Sequence, residues 1–269
     1  MKIFSIIVIG IAIVFFFQVL SLTEYQESVL AINPRIYSGY SMLGVIVLLA
    51  LFPLGKKLSL LPLFRTQHWL IIHVVFGLTL PLIYWVHCHN LWPNGLYEQL
   101  LAFLFYSVCV SGLFGFVLAK VLPGRLSNIG EEVIYERISD EVHQIRKAVK
   151  QHVTAATEES GNETLSRLYA ESLAWFLARP RFFWDHLTGS AKPGVWIEKK
   201  ELANRPFLNE SESQHLDAII QLMRYKNQID ANYALQTVMK KWLYFHTPIA
   251  TALLVVVAWH VLLVHIYLL

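Results

Sequence analysis

Two pairs of histidines repeat one interval. His73 and His87 stand fourteen residues apart in one apolar segment, and His246 and His260 stand fourteen apart in another. On an α-helix that interval turns the chain by about 1400°, some 40° short of four turns, so both imidazoles of a pair project from nearly one face. The rise is about 21 Å, which fits two ligand positions inside a hydrocarbon layer about 30 Å thick. A neutral imidazole in lipid needs a polar or metal partner, and packing alone does not explain four of them at matching depths. Two metal centres, one near each face of a membrane, would absorb all four lone pairs.

The arrangement predicts haem rather than zinc or copper. A compact tetrahedral zinc site gathers three or four ligands at one level, often with Cys or acidic residues. Here the ligands are spread over two levels, two at each, as bis-histidine haem needs. The two ligand segments run in the same direction, because one returning span lies between them. His73 is therefore expected opposite His246 at the inner level, and His87 opposite His260 at the outer level. A second register is open: His68 with His87 and His246 with His265 are both nineteen residues apart. Nineteen residues leave the two ligands about 100° from a common face, with a rise near 28 Å, so His68 and His265 are expected beside the ligands or at the membrane surface. His89 is expected in a solvated loop. Gly77, four residues after His73, removes a side chain where a flat disc would press on backbone, and Pro81 is placed to bend that helix. Pro248 is expected in the first turn or two of the last span, where a lost hydrogen bond matters least.

These residues must sit on membrane helices. The chain has 269 residues, 55% of them hydrophobic, and a mean hydropathy of +0.47, above what a globular domain needs. Five blocks are long enough to cross a bilayer: 3–20, 39–55, 68–87, 98–119 and 243–269. The second ends near Pro53 and Gly55. The first starts on Lys2 and lacks a small-residue cleavage site, so it is expected to be a retained anchor rather than a signal peptide. Lys2, Lys56, Lys57, Arg65, Lys120 and Arg125 flank one side. The other side carries Arg35 beside Glu24, Glu27 and Glu98. The positive-inside rule then puts the N-terminus and a long segment in the cytoplasm and the C-terminus outside. The fold class is thus an all-α membrane protein of about five transmembrane helices, with a helical cytoplasmic insertion before the last span. Residues 1–119 hold the first four spans, 120–242 the insertion, and 243–269 the last span, which completes the bundle.

The insertion reads as helical. Residues 129–158 carry apolar positions at helical spacing, Gly161-Asn162 interrupts them, and a second helix is expected from Thr164 to Ala178. Gly189–Gly194 reads as a loop, Ser213–Gln228 as a helix, and 231–242 as its continuation into the last span. No glycine-rich phosphate cradle is present. A helical cap and a docking surface for a soluble redox partner are both compatible with this pattern. His143, His152, His186 and His215 show no mutual ligand spacing. The net charge of +3 comes with no basic helix or aromatic-basic alternation, which argues against nucleic acid. The two cysteines, Cys88 and Cys109, form neither a c-type haem attachment nor an iron–sulfur set. In span four Ser111 and Gly115 make a small-xxx-small pair suited to close helix packing. Arg65, Arg125 and Lys240-Lys241 flank the inner level and could balance propionate charge or simply follow the positive-inside bias.

The run Trp69-Leu70-Ile71-Ile72-His73, with Gly77 and His87, and His246-Thr247-Pro248 followed by His260, His265 and Tyr267, resembles the membrane-integral di-haem b-type cytochromes. Cytochrome b561 and the b subunits of bacterial respiratory complexes are of this type. The resemblance covers mainly spans three to five. It implies two haem b groups on His73, His87, His246 and His260 and electron transfer across a bacterial cytoplasmic membrane. It is also similar to a bacterial group in which such a protein works with multihaem cytochrome c and iron–sulfur partners. The implied partners are membrane lipid, a cytoplasmic iron–sulfur protein or flavoprotein, and a periplasmic multihaem cytochrome c. The insertion of about 120 residues is a departure from the compact cytochromes and disfavours direct ascorbate-type donors. A quinone-reactive subunit, with a pocket near His68, His89, Arg65 or Glu98, is the main alternative. A metal reductase and a haem-free scaffold are further ones.

Overall fold

A computed structural model of the chain describes residues 2–26, 34–51, 66–130 and 133–267. About 90% is helical, with no strand among the described residues. The helices are α1 (Lys2–Tyr25), α2 (Pro34–Ala50), α3 (Thr66–Cys88), α4 (Leu96–Ser127), α5 (Ile138–Ser160), α6 (Thr164–Leu168), α7 (Ala174–Ala178), α8 (Phe183–Thr188), α9 (Lys192–Asn204) and α10 (Glu210–Tyr267). The chain divides into two compact units: Met1–Val117 with Trp242–Leu269, and Leu118–Lys241.

In the first unit α1, α3, α4 and α10 are long and apolar enough to cross a membrane. Of the second expected span, α2 supplies a 17-residue apolar helix, shorter than the ~20 residues of a typical span. Its end at Pro53 and Gly55, and Lys56, Lys57 and Arg65, lie outside the described residues, as does Glu27. The unit is apolar on both sides. Val19, Val45, Ile46, Ile83, Phe105 and Val257 are buried together, with Tyr84 stacked on Phe105 at 4.7 Å. Outward, Ile7, Val14, Phe103, Val110 and Val255 are exposed. Apolar surface on that scale suits lipid rather than water, and the apolar helices are compatible with a multi-pass membrane protein. Hydroxyls in these helices donate to their own backbone, Thr23 to Val19 O and Thr79 to Val75 O, as a medium without water requires.

The second unit has its own core. Ile138, Val142, Ile145, Val149 and Val153 of α5 pack with Leu165, Leu173, Phe176, Leu216, Ile219 and Met223. The expected break at Gly161 is a left-handed helix cap, φ +67°. Thr164–Ala178 is helical as expected, with a π-helical turn at Tyr169–Leu173 between α6 and α7. Three expectations need correction. Helix α5 begins at Ile138, not 129, because the chain turns through Gly130 at φ +103°. Helix α9 begins at Lys192, inside the expected Gly189–Gly194 loop, since Pro193 fits a first helical turn. Finally, α10 runs unbroken from the insertion to Tyr267, so Pro248 lies deep inside a 58-residue helix. Its ring removes the bond to the Tyr244 carbonyl. At its start Asn209 and Glu212 cap α10 reciprocally: the Glu212 N–H donates to Asn209 Oδ1 at 2.8 Å, and the Asn209 N–H to Glu212 Oε2 at 2.9 Å.

Candidate functional site

Helix α3 carries His73 and α10 carries His246, and both line one apolar cavity with Gly77, Leu78, Gly112 and Leu113. The glycines keep the walls open. A Cβ at Gly77 would reach Leu49 at 3.9 Å, and one at Gly112 would reach His246 Cε1 at 3.8 Å. The cavity volume is about 140 Å³, below the roughly 300–1,000 Å³ of small-molecule sites. Leu78 and Leu113 of its lining are exposed.

His246 is held from α4. Its Nδ1 lies 2.7 Å from Ser111 Oγ, and that hydroxyl also donates to the Val108 carbonyl at 3.1 Å. A serine has one proton to give. In the Nδ1–H tautomer of His246, Ser111 accepts from the ring and the Nε2 lone pair is left for a ligand. Trp242 stacks on His246 at 5.3 Å and donates its indole N–H to the Ser111 carbonyl at 2.7 Å. Gly115 makes room for that indole, which a Cβ there would overlap. Ser111 and Gly115 thus do provide close helix packing, and Ser111 also orients a histidine.

The second pair repeats the device from another helix. Ser38 on α2 lies 3.3 Å from the Arg35 carbonyl and 3.2 Å from His87 Nδ1. The Arg35 backbone also bonds the His87 ring, and His260 lies within electrostatic reach of it. In the Nδ1–H tautomer Ser38 accepts from the ring and Nε2 keeps its lone pair. Gly39 lies against this ring, where a Cβ would stand 3.0 Å from His87 Cε1. Tyr97 stacks on His260 at 6.2 Å and donates its hydroxyl to the Val256 carbonyl at 3.1 Å. His73 bonds the backbone of Leu49 and lies within electrostatic reach of His246.

The remaining histidines are placed differently. His265 donates from Nδ1 to the Val261 carbonyl at 2.7 Å, so its Nε2 accepts the Tyr40 hydroxyl at 2.6 Å. Both of its nitrogens are engaged. His68 packs on Phe4 at 4.3 Å, and His89 is exposed in a left-handed turn, φ 56°. Glu98 turns back over Gly95 at the start of α4. Arg125 donates to the His186 and Leu187 carbonyls, and Lys240 pairs with Glu136. These bonds lie within Leu118–Lys241.

In that second unit the structure joins His152 and His215, which the sequence left unrelated. Their Nδ1 atoms are 3.2 Å apart, and His215 Nε2 faces the Glu159 carboxylate at 3.4 Å. The Ser211 hydroxyl, first, and then His215 hold that carboxylate below the usual range. Among the described residues no three His, Cys, Asp or Glu side chains gather as a metal site would need. Sixty-three residues separate the two rings, beyond the reach of any helical spacing argument.

No known protein family matches the chain, and no curated protein or solved structure matches it either.

Proposed function

We propose that the protein conducts electrons across a bacterial cytoplasmic membrane through two b-type haems, held by His73 with His246 and by His87 with His260. The observation that carries this reading is the pairing itself. Of the four histidines chosen by a fourteen-residue interval, His73 and His246 line one cavity, His87 and His260 lie within electrostatic reach of each other, and Ser111 and Ser38 lie within hydrogen-bond distance of one ring in each pair, which supports the reading. The imidazole donors fit a haem, which would supply one-electron redox chemistry if held by His73 with His246 and by His87 with His260. The chain orients the four imidazoles, and its apolar bundle sets the surrounding dielectric. In this reading the N-terminus and the Leu118–Lys241 unit face the cytoplasm and an iron–sulfur or flavoprotein donor. The C-terminus faces a periplasmic multihaem cytochrome c.

The test is the reduced optical spectrum of the purified chain with pyridine haemochrome stoichiometry. Two haem b per chain are expected. His73→Ala and His246→Ala should each lose the same haem, and His87→Ala and His260→Ala the other. Zero haem would end the reading, and a signal lost jointly by His73 and His260 variants would overturn the pairing. Reduction by a quinol with no partner protein present would shift the assignment to a quinone-reactive subunit.

A further inference from the structure

A cleft within Leu118–Lys241 plays no part in that reading. Its volume is about 620 Å³, inside the roughly 300–1,000 Å³ range of small-molecule sites. Helix α5, the turn after α7 and the α10 segment from Tyr233 to Lys240 wall it.

The turn is fixed from two sides. Arg146 donates from Nε and Nη2 to the Leu177 carbonyl at 3.2 and 2.8 Å, and from Nη2 to Ala178 at 2.9 Å. From the core, fully buried Lys226 donates to the Arg179 carbonyl at 3.0 Å and to Asp230 at 2.5 Å, and Asp230 accepts the Arg181 N–H at 3.1 Å. A buried ion pair is a weak stabiliser by itself. This one anchors the backbone that presents Arg179, an exposed side chain on the cleft wall.

The cleft's charge is one-sided. Arg146, Arg179 and Lys240 line it against one carboxylate, Glu136. Lys240 bonds that carboxylate and lies 3.9 Å over the Tyr135 ring, which is stacked on Tyr233 at 5.7 Å. Glu136 is 67% exposed, so it can swing away and surrender Lys240 to another anion. Guanidinium forks beside an ammonium match the several oxygens of a phosphate better than a lone carboxylate. We propose that this cleft binds a small phosphate-bearing anion, with Arg179 and Lys240 as its charged contacts and Glu136 as an internal competitor for the same place.

The opposite signs expected of the variants make the test. The full chain in phosphatidylcholine nanodiscs is titrated calorimetrically with pyrophosphate, and saturable binding below about 1 mM is expected. Arg179→Ala and Lys240→Ala should each weaken it about tenfold, whereas Glu136→Gln should tighten it. Circular dichroism confirms that each variant is folded, and Glu136→Gln keeps the test decisive if either cation variant is not. Equal affinity in phosphatidylglycerol nanodiscs at matched ionic strength assigns the site to a free phosphate compound. Loss of binding there, with Glu136→Gln still tighter in phosphatidylcholine, assigns it to a lipid headgroup. No saturable binding, one affinity across all variants, or weaker binding by Glu136→Gln overturns the proposal.

Discussion

A serine hydroxyl can donate only once, and Ser111 and Ser38 each face a backbone carbonyl, Val108 or Arg35, and an imidazole Nδ1. In the Nδ1–H tautomer each serine accepts from the histidine it faces. The consequence is measurable. Ser111→Ala removes the acceptor of His246 Nδ1–H and frees that ring to turn. Changes of this kind typically reduce metal affinity or activity by about 10–100-fold. Ser111→Ala is therefore expected to lower retention of the haem that His73→Ala also removes, or to shift its midpoint potential, with the second haem unchanged. Spectroelectrochemical titration checks this, and Ser111→Thr, which restores a hydroxyl, should recover most of the effect. Equal disturbance of both haems would point to general loosening of the bundle instead.

At the scale of the helix, Gly112 and Gly115 of α4 are not equivalent. Gly115 lies under Trp242, and an added Cβ overlaps the indole. Gly115→Ala should destabilise the first unit by about 1–3 kcal/mol, the usual penalty of overpacking. Gly112→Ala meets only ordinary contact at 3.8 Å and gains up to about 1 kcal/mol of helix propensity, so it should be neutral or stabilising. Thermal melts of the two variants, followed by circular dichroism in one detergent, should fall on opposite sides of the parent. The same residues show what the sequence can and cannot reveal. The histidine interval, the break at Gly161 and the helix from Thr164 to Ala178 are local periodicities and can be read directly. The partners of those histidines cannot. Ser38 and Ser111 are ordinary small residues of apolar helices, and Ser38 lies 49 residues from His87. Gly130 and Pro193 moved two helix starts because a single backbone angle outweighs several residues of favourable pattern. Residues 231–242 read as continuing into the last span and do so; Pro248 differs because it lies in the first turns of the apolar span but well inside the helix that carries it.

Among the described residues, Leu118–Lys241 keeps an ionisable network in its core. Burial first, and then the Lys226 charge, lowers His186 to about 4, and its Nε2 has no hydrogen-bond partner among the described residues. Burial raises Asp230 to about 6, with Lys226 only partly offsetting it, and lowers Lys226 as well. Between about pH 4 and 6 the two shifts oppose each other. Native Asp230 holds more proton there than the unfolded chain, so its contribution to stability falls as pH rises. Native His186 holds less, so its contribution increases over the same interval. Each can contribute a slope of up to about 1.4 kcal/mol per pH unit, and together they nearly cancel. The parent protein should accordingly show flat protection of the Trp175–Phe183 amides between pH 4 and 6, once the intrinsic exchange rate is removed. His186→Gln leaves the Asp230 slope alone, and protection should decline as pH rises through that window. Asp230→Asn leaves the His186 slope, and protection should climb with pH. Hydrogen exchange by mass spectrometry resolves that segment in the intact chain, and parallel slopes in the two variants would show that the groups do not titrate as a compensating pair.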